Sequence, residues 1–288
     1  MTISYDKVRE VASTLRFPAQ AFINGELCWA EDGDKFDTVN PATGEVLCSV
    51  AHCKKEDVDK AVIAARRSFN DGEWSRAEPE HRKEVLIRLS HLIRENAFEL
   101  AVLESLDSGK TITDCLKEIG TEVANFFQWY GELIDKSFGK VAPTGESALA
   151  LIVKEPAGVV GIIVPWNFPL LMTAWKVAPA LAAGCSCIVK PAEQTPLSAI
   201  RLAELAQQAG LPDGVLNILP GLGETAGQAI GRHNDVDIIS FTGSTKVGGF
   251  FLRYSGESNL KVVGLEMGGK SPFIVLDDAD LNDDLVEH

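Results

Sequence analysis

Asn167 lies between Pro165 and Pro169. A backbone so constrained lets a side-chain amide donate steadily to a developing oxyanion; an Asx turn is the competing use of an Asn in a loop. Glu266 stands between an apolar run and the turn Met267-Gly268-Gly269, placed to reach into a cleft. Partial burial there would raise its pKa toward use as a general base. Lys190 and Glu193 follow directly on the buried run Cys185–Val189. A donor and an acceptor so placed can grip the vicinal hydroxyls of an adenosine ribose, whereas the same pair on an open surface would do little. Thr242-Gly243-Ser244 leads into a helix, whose N-terminal N–H groups favour an anion such as a pyrophosphate. Gly221-x-Gly223-x-x-x-Gly227 is a second glycine-rich turn, one residue longer than the usual dinucleotide fingerprint. Both turns can also be read as ordinary capped turns.

One further pattern invites a different chemistry. Gly264 to Ser271 formally matches the P-loop of NTPases. That motif works only when a helix begins at its Lys-Ser and aims N–H groups at the phosphates. Here Ser271 is followed by Pro272 and the strand-like run Phe273–Leu276, and Glu266 would sit inside the anion cradle. An NTPase is the disfavoured reading.

These residues need elements that bring strand ends together. From Gly158 on, short β-branched runs alternate with helices: Val159–Val164, Cys185–Val189, Val215–Leu219, Ile238–Phe241, Lys261–Leu265 and Phe273–Leu276. Such alternation predicts an α/β fold with a Rossmann-like open parallel sheet, helices on both faces and ligands beyond the carboxyl ends of the strands. Thr195 reads as an N-cap, with Pro196 at the first helical position. Upstream, Val8, Val11 and Leu15 mark a short amphipathic helix within residues 1–20. Phe22–Leu27 forms a hairpin turning on Asn24-Gly25, and Phe36–Val39 with Glu45–Val50 forms a second. Lys55–Asn70, Pro79–Leu106 and Thr113–Ser137 read as three helices. Gly139–Glu155 breaks the pattern, its alternating run Ala148–Val153 reading as an arm or hinge strand outside the main sheet.

Composition narrows the partners. A formal net charge of −14 argues against nucleic acid and anionic membranes, which the field would repel. The six cysteines show no disulfide or zinc-ribbon spacing, so inert thiols in a reducing compartment are expected and no metal site is. Cys185 and Cys187, two apart on a strand, should share one face. Without an apolar signal core, or a stretch approaching the ~18 residues a span requires, a cytoplasmic protein is the expectation.

Four segments in register then resemble the aldehyde dehydrogenase superfamily: Ile163–Pro169, Lys190–Pro196, Phe241–Ser244 and Leu265–Lys270. Around Pro196–Asn217 and Ser258–Ser271 the chain is most similar to bacterial γ-glutamyl-γ-aminobutyraldehyde dehydrogenases of putrescine breakdown. The resemblance implies oxidation of an aldehyde to a carboxylic acid through a cysteine thiohemiacetal and thioester, with NAD favoured and NADP possible. It makes Asn167 the oxyanion donor, Glu266 the base and Lys176 a member of a proton relay. Lys190 and Glu193 would hold the adenosine ribose, and Ser244 the pyrophosphate. Ile163, Pro165, Trp166, Gly223, Phe241, Gly243 and Met267 would line the cofactor cleft. The implied organisation is an N-terminal part of the cofactor-binding domain (1–138), an oligomerisation arm (139–156), the dinucleotide-binding core (157–268) and the start of a catalytic domain (269–288). A small aldehyde is the implied substrate, and a homodimer or homotetramer the implied assembly of the full-length protein. The family's nucleophilic cysteine lies in a later Gly-Gln-x-Cys setting that none of the six cysteines matches, so these 288 residues alone are not expected to turn over aldehydes. A non-catalytic nucleotide-binding module is the alternative.

Overall fold

The computed structural model describes residues 4–279. The chain opens with α1 (Tyr5–Thr14), the hairpin β1 (Ala21–Ile23) and β2 (Glu26–Cys28), and the hairpin β3 (Lys35–Val39) and β4 (Val46–Ala51). Helices α2 (Lys55–Asp71), α3 (Pro79–Glu95), α4 (Ala97–Ser108), α5 (Ile112–Lys117) and α6 (Ala124–Leu133) follow, then an arm of β5 (Lys140–Ala142) and β6 (Ala150–Ile152). The remainder alternates: β7 (Val159–Ile163), α7 (Pro169–Ala182), β8 (Ser186–Lys190), α8 (Leu197–Gln208), β9 (Leu216–Ile218), α9 (Gln228–Arg232), β10 (Ile238–Gly243), α10 (Thr245–Gly256) and β11 (Val262–Met267).

Seven strands form one sheet in the order β11-β10-β7-β8-β9-β1-β2. β7 to β11 run parallel, as the alternation requires. The sheet is not purely parallel, however, because the first hairpin adds to its edge with β1 antiparallel to β9. Asn24 and Gly25 adopt positive φ (52° and 81°), the left-handed pair that a type I′ turn needs. The buried Asn217 accepts from the Asn24 N–H at 2.9 Å and donates to Gly214 O at 2.8 Å, which ties the hairpin tip to the sheet.

Successive strand residues serve two cores, one on each face. Val160, Ile162, Cys185 and Cys187 point toward α7 and α8, which supply Leu170, Leu181 and Leu202. Both cysteines thus share a face, as their spacing predicts. Val159, Ile188 and Ile239 point the other way, against Val58 and Val62 of α2, Ile230 of α9 and Phe251 of α10. Strands covered on both sides are buried along their whole length, as β7 and β8 are; β7 is apolar throughout, and β8 is apolar over Cys187–Val189 with Ser186 and Lys190 at its two ends.

Several local expectations are corrected. The helix expected over Pro79–Leu106 is two helices, α3 and α4, broken at Asn96, whose side chain donates back to Leu92 O at 2.8 Å. Thr113–Ser137 is likewise interrupted, by a π-helical stretch over Glu118–Val123 between α5 and α6. Thr195 does not cap α8; its hydroxyl donates to Trp166 O, and the Leu197 N–H is taken by Asp107 instead. Phe273–Leu276 forms no strand among the described residues and is solvent-exposed, because no neighbouring strand offers it a ladder. The arm stands outside the main sheet; β5 and β6 pair with each other and leave Val141, Leu149 and Leu151 exposed. Of the expected segment 269–288, residues 280–288 lie outside the described residues. No helix of the described residues is long and apolar enough to cross a membrane.

Candidate functional site

The chain order reverses at β7. From it the chain moves outward through β8 and β9, then returns to place β10 and β11 on the other side. Adjacent parallel strands whose following loops diverge leave a crevice at their carboxyl ends. A pocket of about 760 Å³ occupies that position. It is lined by Ile163 at the end of β7 and Pro165, Trp166 and Asn167 beyond it, by Lys190 at the end of β8 and Glu193 beyond it, and by Gly223 after β9. Phe241 and Gly243 from β10, Ser244 at the start of α10, and Glu266 and Met267 from β11 complete the wall. The structure therefore brings together every site residue read from the sequence except Lys176. That lysine sits on α7 beneath the sheet, where its Nζ donates to Ser240 Oγ at 2.9 Å. Burial pulls its pKa down, and the charge of Glu266 partly restores it. The two belong to one face of the sheet, since Glu266 registers with Thr242, two residues from Ser240.

Lys190 is nearly fully buried and donates to Pro191 O at 2.7 Å and Glu193 Oε2 at 3.1 Å. Burial outweighs this pairing and holds the ammonium below its usual range, with Glu193 and Glu224 opposing. Glu193 is half-buried. Burial raises its carboxyl, but Lys190 and the surrounding hydrogen bonds pull it down further, so it stays ionised. Ser244 caps α10 by accepting from the Val247 N–H at 3.3 Å, which leaves the first N–H groups of that helix facing the cleft. At Gly223 an added Cβ would have no atom of the described residues within 4 Å, so the glycine keeps a cradle clear rather than relieving a clash. Trp166 and Asn167 are exposed, and no hydrogen bond holds the Asn167 amide among the described residues. Glu266 is also exposed, so the partial burial expected for it is absent: it sits near the end of an edge strand, with β10 on one side only.

Two groups escaped the sequence reading. Phe250, Phe251 and Tyr254 of α10 form one side of the cleft, with Phe251 packed on Phe241 at 5.1 Å between ring centroids. Their spacing on a helix opening beside Ser244 was the available signal. Glu104 and Asp107 are buried acids whose partners are 66 and 90 residues away, a pairing no local pattern announces. Burial pushes both carboxyls up to about 7. A carboxyl whose folded pKa exceeds its unfolded value stabilises fully below the unfolded pKa and loses that contribution as pH rises through the folded one. Relative to Glu104→Gln, the protein should therefore lose on the order of 2–3 kcal/mol between pH 5 and pH 8. Urea midpoints of both proteins across that window provide the measurement, and parallel curves would refute it.

The fold and cleft define an α/β protein with a crevice at the reversal point of a mainly parallel sheet, and comparison with known proteins gives the class. The aldehyde dehydrogenase family profile matches residues 29–287, and the chain belongs to that family. It is 52% identical to an aminoacetaldehyde dehydrogenase of Pseudomonas aeruginosa, over 99% of this chain and 58% of that protein. It superposes with a TM-score of 0.92 on the γ-glutamyl-γ-aminobutyraldehyde dehydrogenase of Burkholderia cenocepacia, at 47% identity over 94% of this chain and 55% of that one. An indole-3-acetaldehyde dehydrogenase solved in complex with NAD+ matches with a TM-score of 0.92 at 48% identity, over the same shares of the two chains. The chain thus spans just over half the length of these relatives.

Proposed function

We propose that this chain supplies the dinucleotide site of an enzyme that oxidises a small aldehyde to a carboxylic acid, with NAD preferred over NADP. The observation that carries the reading is the convergence of segments at the ends of five strands, β7 to β11, on one cleft at the sheet's reversal point. The residues present fit a dinucleotide. The cleft is long enough to touch five strand ends, Gly223 leaves an open cradle, and a helix start, a buried cation and a carboxylate offer complementary donors and acceptors. Lys190 and Glu193 hold the adenosine ribose, the start of α10 with Ser244 holds the pyrophosphate, and Trp166, Phe241 and Met267 cover the remaining length. When bound, the nicotinamide supplies the oxidant.

The chain's own residues then manage charge. A thiolate from outside these residues would add to the carbonyl carbon, and Asn167 donates its amide to the oxygen as negative charge develops there. After hydride loss, water hydrolyses the thioester to the acid. Glu266, exposed at the cleft mouth, accepts a proton, and Lys176 with Ser240 relays it along the same face of the sheet. None of the six thiols lines the cleft, and burial pushes Cys48 up to about 11 and Cys115 to about 12, so none of them suits nucleophilic attack there. The likeness to dehydrogenases of nitrogen-bearing aldehydes supports a substrate of the putrescine-breakdown type, and the exposed apolar arm supports a homodimer or homotetramer.

Glu193 and Glu224 both line the pocket near Lys190, where a 2′-phosphate would meet two like charges. Titration followed by tryptophan fluorescence should show NAD binding at least about tenfold tighter than NADP, a difference of ~1.4 kcal/mol. Glu193→Gln should shrink that preference to below about threefold. Absence of NAD binding by the wild-type chain would sink the reading. The NTPase alternative finds no support, since no helix begins at Lys270-Ser271.

A further inference from the structure

Two of the loops that make the cleft are held from beneath by one helix end. Glu104 Oε2 accepts from the Leu170 N–H at 3.0 Å and from the Ser198 hydroxyl at 2.8 Å. Asp107, one turn on, accepts from the Leu197 N–H at 3.0 Å and from the Thr38 hydroxyl at 2.6 Å. Just past the end of α4, Lys110 sets its Nζ 3.9 Å from the Phe168 ring centroid. Leu170 lies in the first turn of α7, directly after the Trp166-Asn167-Phe168 loop, and Leu197 begins α8, four residues after Glu193. The Thr195 hydroxyl, donating to Trp166 O at 3.4 Å, links one loop to the other.

Neither α7 nor α8 carries a capping side chain of its own; Phe168 and Pro196 stand at their N-cap positions. Their orphan N–H groups are met by carboxyl oxygens from a third helix. Ordinary stabilisation would not need so costly an arrangement, because Glu104 is almost fully buried and its Oε1 has no hydrogen-bond partner among the described residues.

We propose that the Glu104–Lys110 end of α4 is a positioning device for the cleft. Glu104 is its principal residue, fixing the Trp166-Asn167 loop against the Lys190–Glu193 turn and thereby setting dinucleotide affinity. None of Glu104, Asp107 or Lys110 lines the pocket, so they act through the loops they hold. The inference rests on the cleft being a dinucleotide site, but its structural half does not.

The test separates the two halves. The chain is labelled with 5-fluorotryptophan and the Trp166 resonance is assigned by Trp166→Phe. NAD affinity is then measured by calorimetry for wild type, Glu104→Leu, Glu104→Gln and Leu89→Ala, the last a core substitution in α3 that lowers stability away from the cleft. Glu104→Leu should shift or broaden the Trp166 resonance and weaken NAD binding at least about tenfold, because the binding-competent loop arrangement becomes a minor one. Glu104→Gln keeps an acceptor oxygen and should restore both to within about threefold of wild type. Leu89→Ala should lower the urea midpoint and move neither readout. Should Glu104→Leu fail to fold, Ser198→Ala, which removes one of the two contacts to Glu104 Oε2, is judged on the same two readouts with smaller changes of the same sign. A Trp166 resonance and NAD affinity that respond no more than in Leu89→Ala overturn the proposal. If wild type binds no NAD, the dinucleotide reading fails, and the Trp166 resonance alone decides whether α4 positions the loop.

Discussion

Lys190→Met is expected to weaken NAD binding by about ten- to a hundredfold while moving fold stability by no more than about 1 kcal/mol. The two effects separate because burial and binding use different parts of the side chain. The aliphatic stem of Lys190 lies in the packed wall of the cleft beside Gly227, and Met replaces it with little change in volume. The ammonium is the expensive part. Burial already pulls its pKa down against the opposing Glu193 and Glu224, so its loss removes a desolvation cost. Glu193, half-buried, keeps a hydrogen bond from Gln194 at 3.3 Å and contact with solvent. Pro191 O does lose its partner, which offsets part of that gain. A bound ribose loses more, namely the charged donor opposite the Glu193 acceptor. Calorimetric titration alongside urea unfolding measures both quantities on one protein. NAD affinity within threefold of wild type would remove Lys190 from the site.

Gly161→Val should destabilise the fold by at least about 3 kcal/mol. Gly161 lies in the middle of β7, with β8 on one side and β10 on the other. A Cβ there would come within 2.6 Å of Ile230 Cγ2 and 2.7 Å of Ile239 Cδ1. Both isoleucines are fully buried and have no free rotamer to retreat into. Strand and helix would have to separate, and that movement passes to the cleft, because β7 ends in the Trp166-Asn167 loop and α9 follows the Gly223 turn. Gly264→Val on the edge strand β11 is the control. There the nearest atom to a new Cβ is Ile239 O at 3.7 Å, an ordinary contact, so stability should stay within about 0.5 kcal/mol. A midpoint for Gly161→Val within 1 kcal/mol of wild type, after conversion through the m-value, would overturn the packing argument.

Much of the site was legible from the chain because its residues sit at transitions. Pro165–Pro169, Lys190–Glu193 and Thr242–Ser244 each follow an apolar run, and a run buried on both faces ends abruptly where the chain meets solvent. Asn24-Gly25 was legible for a similar reason, since its backbone conformation is set by those two residues. Lys176 could not be placed this way. Its position in mid-helix gives a direction only once α7 is docked under β10. Glu266 misled because a carboxylate after an apolar strand looks the same whether that strand is central or at the edge.

By itself, then, the sequence of this protein determined the strand–helix alternation, the two faces of each strand and the polar residues at the strand ends. These follow from side-chain periodicity and backbone preference, which act over a few residues. Only the tertiary structure decided that the first hairpin extends the main sheet, that the chain reverses at β7, and that Glu104 and Asp107 hold the starts of α7 and α8. A carboxylate on a helix takes its meaning from what is packed against it. In this fold those partners arrive from segments 66 and 90 residues away, beyond the reach of any local pattern.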